Sequence, residues 1–92
     1  MHEEINTLTE KTLDIKRAID SLREELEAVD WYNQRADATK DKNLKGILLH
    51  NAKEEKEHAA MLIEWLRQND EEFHSELKDY VFTDKEDIAH HE

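Results

Sequence analysis

The segment HNAKEEKEHAAMLIEWL, His50 to Leu66, holds the residues best suited to chemistry. Glu55 and His58 stand three apart, so a helix sets them on one face. Leu48, Ala52, Ala59, Leu62 and Leu66 share the stripe of Glu55 in steps of four and three. A charge run such as AKEEKEH ordinarily faces water. That reading suits Lys53, Lys56 and Glu54. It suits Glu55 poorly, because a bare carboxylate within an apolar seam costs several kcal/mol even after relaxation. Glu55 therefore calls for a cation or a proton.

The counterpart lies in EELEAVDWY, Glu24 to Tyr32. Glu25 sits between Leu22 and Val29, at the edge of an earlier apolar stripe. Tyr32 follows one heptad later, and its bland alternative is plain core packing. Taken alone, Glu25 is an ordinary flanking charge. Beside Glu55-x-x-His58 on an adjacent antiparallel helix it reads as a ligand. One helical Glu and one Glu-x-x-His form half the ligand set of a carboxylate di-iron bundle, which takes two of each from four helices. A two-fold homodimer doubles the half-set. Its four carboxylates, two each of Glu25 and Glu55, balance two divalent ions. Oxygen ligands with two imidazoles suit iron or manganese better than structural zinc. The chemistry is then oxidation of Fe(II) to Fe(III) by O2, with two irons per dimer. The competing reading is a non-catalytic acidic helical module that binds metal or assembles.

The positioning elements are helices. Thr7 and Glu10 have capping-box spacing. From there a stripe runs through Leu8, Ile15, Ile19, Leu22, Leu26, Val29 and Ala36, with Thr12 and Asn33 as polar members. It predicts a helix over 7–38. TKDK breaks the pattern, and Asp41 is an N-cap for a second helix over 42–68. Gly46 weakens its first turns slightly. Asp70 caps a shorter third helix marked by Phe73, Leu77 and Tyr80, and Thr83 with Glu86 could cap one more turn. The expected fold is all-α: an antiparallel two-helix hairpin plus a short C-terminal helix over 1–82, with a flexible polar tail at 83–92. His90 and His91 of that tail are not expected to take part in catalysis. The hairpin is expected to dimerise into a four-helix bundle.

Composition agrees. The 92 residues include no Pro, one Gly and 40% charged residues, which favours long helices. Only 37% are hydrophobic, so a lone chain has a thin core and needs partners or metal. The chain has no Cys, which excludes disulfides and fits a reducing cytoplasm. A net charge of -11 argues against nucleic acid and anionic membranes and favours cations. No apolar run is long enough for a membrane span, and no signal peptide opens the sequence.

Together, EELEAVDWY and HNAKEEKEHAAM (His50 to Met61) resemble the motifs of the encapsulated ferritins, the ferritin-like cargo of encapsulin nanocompartments. The likeness runs from about Ile15 to Phe82. It implies a ferritin-like ferroxidase unit made by a dimer, a ring of ten chains, and an encapsulin shell protein as partner inside the cytoplasm. It assigns ferroxidase ligands to Glu25, Glu55 and His58 from both chains, with Tyr32 as the nearby aromatic. It assigns a second acidic site to Glu24, Glu27 and Trp31, which a helix lines up with Asp20 as an acidic stripe; the alternative is a solvated face. It makes His50, Glu54 and Glu57 an inter-subunit metal contact, where the alternative is plain surface. Cargo members commonly end in a short apolar targeting peptide, and IAHHE does not resemble one. Trimming, fusion to a shell protein, or another targeting route remain open.

Overall fold

A computed structural model describes residues 2–90. Three α-helices follow one another: α1 (Glu10–Ala38), α2 (Lys42–Asn69) and α3 (Glu71–Tyr80). A single 3-10 turn, Ile5–Thr7, precedes them, and the described residues contain no strand. The fold is thus all-helical. A connection of three residues, 39–41, folds α2 back against α1 as an antiparallel hairpin.

Side chains fix the helix starts. Asp41 accepts the backbone N–H of Leu44 at 2.9 Å, and Asp70 accepts that of Phe73 at 3.0 Å. Both are the N-caps expected. The first helix departs from expectation. It begins at Glu10, and Thr9 is its cap, accepting the N–H of Thr12 at 3.2 Å. Thr7 instead donates its hydroxyl to the Glu4 carbonyl at 2.7 Å, closing the 3-10 turn. The extra turn at Thr83 and Glu86 does not form. The Thr83 hydroxyl donates back to the Tyr80 carbonyl, and both Phe82 and Asp84 take positive φ, 58° and 55°. Residues 91 and 92, including His91, lie outside the described residues.

The two long helices meet along small side chains. Among the described residues, Ala18, Ala36, Ala52, Ala59 and Leu66 are the buried apolar ones. Four alanines let the backbones approach closely and leave little volume between them. The α2 stripe is as read from sequence. The α1 stripe shifts in its second half: Leu26 is 53% exposed and Asn33 is exposed, whereas Glu25, Val29 and Tyr32 are half-buried. The seam of α1 therefore runs Ala18, Leu22, Glu25, Val29, Tyr32, Ala36. Glu25 is a member of it rather than an edge.

The shape is open. The radius of gyration is 17.1 Å, against roughly 12 Å for a compact domain of this length. The accessible surface is 7772 Å², against roughly 5,600 Å² for a compact monomer of this mass. Large apolar side chains stand out of it, among them Trp31, Ile47, Met61 and Phe82. No helix among the described residues is long and apolar enough to cross a membrane.

Candidate metal centre

Glu25 near the middle of α1 and Glu55 near the middle of α2 face each other across the seam, and His58 lies one turn along from Glu55. Antiparallel packing about a short connection brings these two midpoints together. The ligand atoms of the three residues lie within 4.8 Å of one another. His58 Nδ1 is 3.3 Å from Glu25 Oε2 and 3.5 Å from Glu55 Oε2. An ionised carboxylate only accepts, so in the bond between Nδ1 and Glu25 Oε2 the imidazole is the donor. The glutamate side chains are 23% exposed and the imidazole 43%. The group is thus recessed in the seam yet reachable from one side.

Charge is unbalanced here. Among the described residues no lysine or arginine pairs with either carboxylate, and His58 supplies at most one positive charge against two negative ones. Two carboxylates and an imidazole converging on a few ångströms suit an oxygen-preferring divalent metal such as iron or manganese. Among the described residues no other group of three or more His, Cys, Asp or Glu converges this way.

The remaining sequence candidates lie apart from this group. Tyr32 is half-buried on the same seam, roughly 10 Å further along α1 by helical rise. The Arg35 guanidinium lies 5.8 Å from the Tyr32 ring and 5.8 Å from that of Trp31, within cation–π range. Glu24, Glu27 and Trp31 are all exposed on the outer surface of α1. Asp20, which sequence spacing adds to their stripe, is already neutralised: a hydrogen bond from Lys16 holds its carboxyl below the usual range, and Arg23 adds a bond at 3.1 Å. His50 Nε2 is 3.6 Å from Glu54 Oε1, and Glu57 is exposed and stays outside the pair.

Sequence spacing missed a second polar group. Glu64, Arg67 and Gln68 on α2 join His74 on α3 at the bend between those helices. The Glu64–Arg67 spacing of three was a usable signal. The tie to His74 was not, because it crosses the bend.

Residues 1–84 match the family described as EncFtn-like. An encapsulated ferritin-like protein of Rhodospirillum rubrum is 55% identical over 83 residues, which are 90% of this chain and 59% of that protein. A ferritin-like protein of Thermotoga maritima is 54% identical over 84 residues, 91% of this chain and 74% of that one. The chain thus spans less than two thirds of the Rhodospirillum relative and about three quarters of the Thermotoga one. The crystal structure of protein ne0167 from Nitrosomonas europaea is 62% identical, with a TM-score of 0.92 over 98% of both chains. The helical hairpin, its paired carboxylates and these likenesses converge: the chain belongs to the EncFtn-like family of encapsulated ferritins.

Proposed function

We propose that the chain is a ferroxidase whose working site forms only when two copies meet. The observation that carries this reading is the convergence of Glu25, Glu55 and His58 in the middle of the seam, with negative charge in excess. One chain offers two carboxylates and one imidazole, half of the di-iron bundle set. A two-fold axis beside the recessed group would supply the other half and cover apolar surface that the hairpin leaves exposed.

Ferrous ion is the substrate. Glu25 and Glu55 of both copies attract and hold two such ions, and His58 completes each ligand set. Metal at Nδ1 would take the place of the His58–Glu25 hydrogen bond, with the ring hydrogen on Nε2. Two ferrous ions give up one electron each, which with two protons reduces O2 to hydrogen peroxide. The four carboxylates keep both oxidation states bound. Tyr32 is the aromatic nearest along the seam. We carry Glu24, Glu27 and Trp31 as an approach path for cations, and His50, Glu54 and Glu57 as a metal contact between copies. The name of the Rhodospirillum relative speaks of encapsulation. For this chain we propose a ring of dimers, ten chains in all, held as cytoplasmic cargo within an encapsulin shell and serving iron storage there. A ring encloses little volume, so mineral would collect in the outer container.

The test is ferrous salt added in air. Ferric absorbance should grow with the wild type, and dimers or rings should gain on monomers in size-exclusion chromatography. Glu55→Ala, Glu25→Ala and His58→Ala should each slow oxidation. Metal retained by elemental analysis with no oxidation would favour the non-catalytic module instead. Oxidation by Glu55→Ala at the wild-type rate would remove Glu55 from the site.

A further inference from the structure

Arg67 ties α2 to α3. Its guanidinium grips Glu64 with two bonds, Nε to Oε1 at 2.6 Å and Nη2 to Oε2 at 2.7 Å. Gln68 adds a third bond to Glu64 Oε2 at 2.6 Å. The free Nη1 crosses the bend to His74 Nδ1 at 2.8 Å. A guanidinium has donors and no acceptor. His74 Nδ1 must therefore be the acceptor, and the ring hydrogen sits on Nε2. The bond exists only while the imidazole is neutral, since a protonated ring presents N–H at both nitrogens.

Arg67 is engaged by Glu64 through two of its nitrogens. Hydrogen bonds from Arg67 and Gln68 hold the Glu64 carboxyl down at about 2, so the grip persists through any mildly acidic medium. The charged groups around His74 come from all three helices. Arg67 and Glu64 face it from α2, Glu71 and Lys78 from its own helix, and Lys11 from α1 across an open pocket. Glu64 has its oxygens filled. A His74 ring that gained a proton would be repelled by Arg67, Lys78 and Lys11 and drawn toward Glu64, Asp70 and Glu71, and its Nδ1 could no longer accept from Arg67. Beyond this bond, α3 is joined to α2 by the chain junction at Asn69–Asp70; Ala60 and Ile63 of α2 line an open groove with Leu77 of α3 and, past its end, Val81 and Phe82, the last 99% exposed.

We propose that His74 is a proton-operated latch: neutral, it fastens α3 to α2 through Arg67, and protonated, it lets α3 swing. Imidazoles in general change charge between about pH 5 and 8, the range in which such a latch works. Release of α3 would open the groove and move Phe82, and so alter the apolar surface the chain presents. The inference does not rest on ferroxidase activity.

The chain has no native cysteine. Spin labels at Lys45→Cys on α2 and Asp79→Cys on α3 therefore report one distance by pulsed dipolar spectroscopy. Labelled chain is diluted into excess unlabelled chain, so that only the distance within a chain is read. A single narrow distance is expected near about pH 8, and a broader or second one near about pH 5. In His74→Asn, whose amide oxygen accepts without titrating, the difference between the two conditions should vanish. His74→Lys, permanently charged, and Arg67→Leu, which lacks the donor, should be broad at both. An unchanged wild-type distance overturns the proposal. So does a pH response that survives His74→Asn, or a narrow distance in Arg67→Leu.

Discussion

Two polar clusters hang on α2, and they solve the same problem differently. At the bend, Glu64 faces Arg67, which fills its oxygens and cancels its charge. In the seam, Glu25 and Glu55 face each other with His58 as their sole basic neighbour among the described residues. The bend cluster is complete in one chain. The seam cluster is recessed, acidic and charge-deficient in cations, an arrangement that costs stability until something positive arrives. A salt bridge that was meant to hold the fold would look like the first. A binding group for metal looks like the second, because a resident arginine there would compete with the ion.

That contrast can be broken at several points. Leu66 is 1% exposed and lies on α2 beyond the seam cluster, between Glu64 and Arg67 of the bend cluster. Leu66→Ala should cost about 3 kcal/mol and weaken both together, read as a lowered thermal midpoint; an unchanged midpoint would mean α2 is not anchored there. Glu55→Ala should lower the proposed rate of iron oxidation by about 10- to 100-fold, the scale of losses around metal sites, with the bend untouched as judged by the α2–α3 distance. Glu55→Leu should raise the stability of the metal-free chain by about 1 kcal/mol, because it relieves a carboxylate in an apolar seam. Glu64→Leu should do the reverse and destabilise, because it strips Arg67 of its partner; chemical denaturation of the two variants side by side decides this. The smallest effect is in acid. The Glu64 carboxyl sits at about 2 in the folded chain, below its ordinary 4.5, through its bonds from Arg67 and Gln68. Its contribution is therefore fully present above about pH 4.5 and is lost as pH falls toward 2. Amide exchange in α3 should accelerate in that window, and Glu64→Gln should flatten the dependence.

The sequence showed the seam cluster because chemistry and periodicity coincide there. Glu55 occupies a stripe whose other members are Ala and Leu, and His58 follows at helical spacing. The caps at Asp41 and Asp70 were legible for the same local reason. The second half of α1 was not. Leu26 outranks Glu25 in any hydrophobic reading, yet Glu25 faces α2 and Leu26 faces out, since the seam is set by where α2 packs. The start of α1 turned on which threonine hydroxyl finds a free N–H, and two residues separate the right from the wrong choice. The latch at His74 needed the bend angle between α2 and α3, which no spacing encodes.

The alanine-lined seam has a final consequence. Among the described residues, four of the five buried apolar side chains carry only a methyl group, so folding one hairpin by itself removes little oil from water. If the proposed dimer covers the rest, dilution should act on this protein as a denaturant does, and its melting temperature should climb with chain concentration.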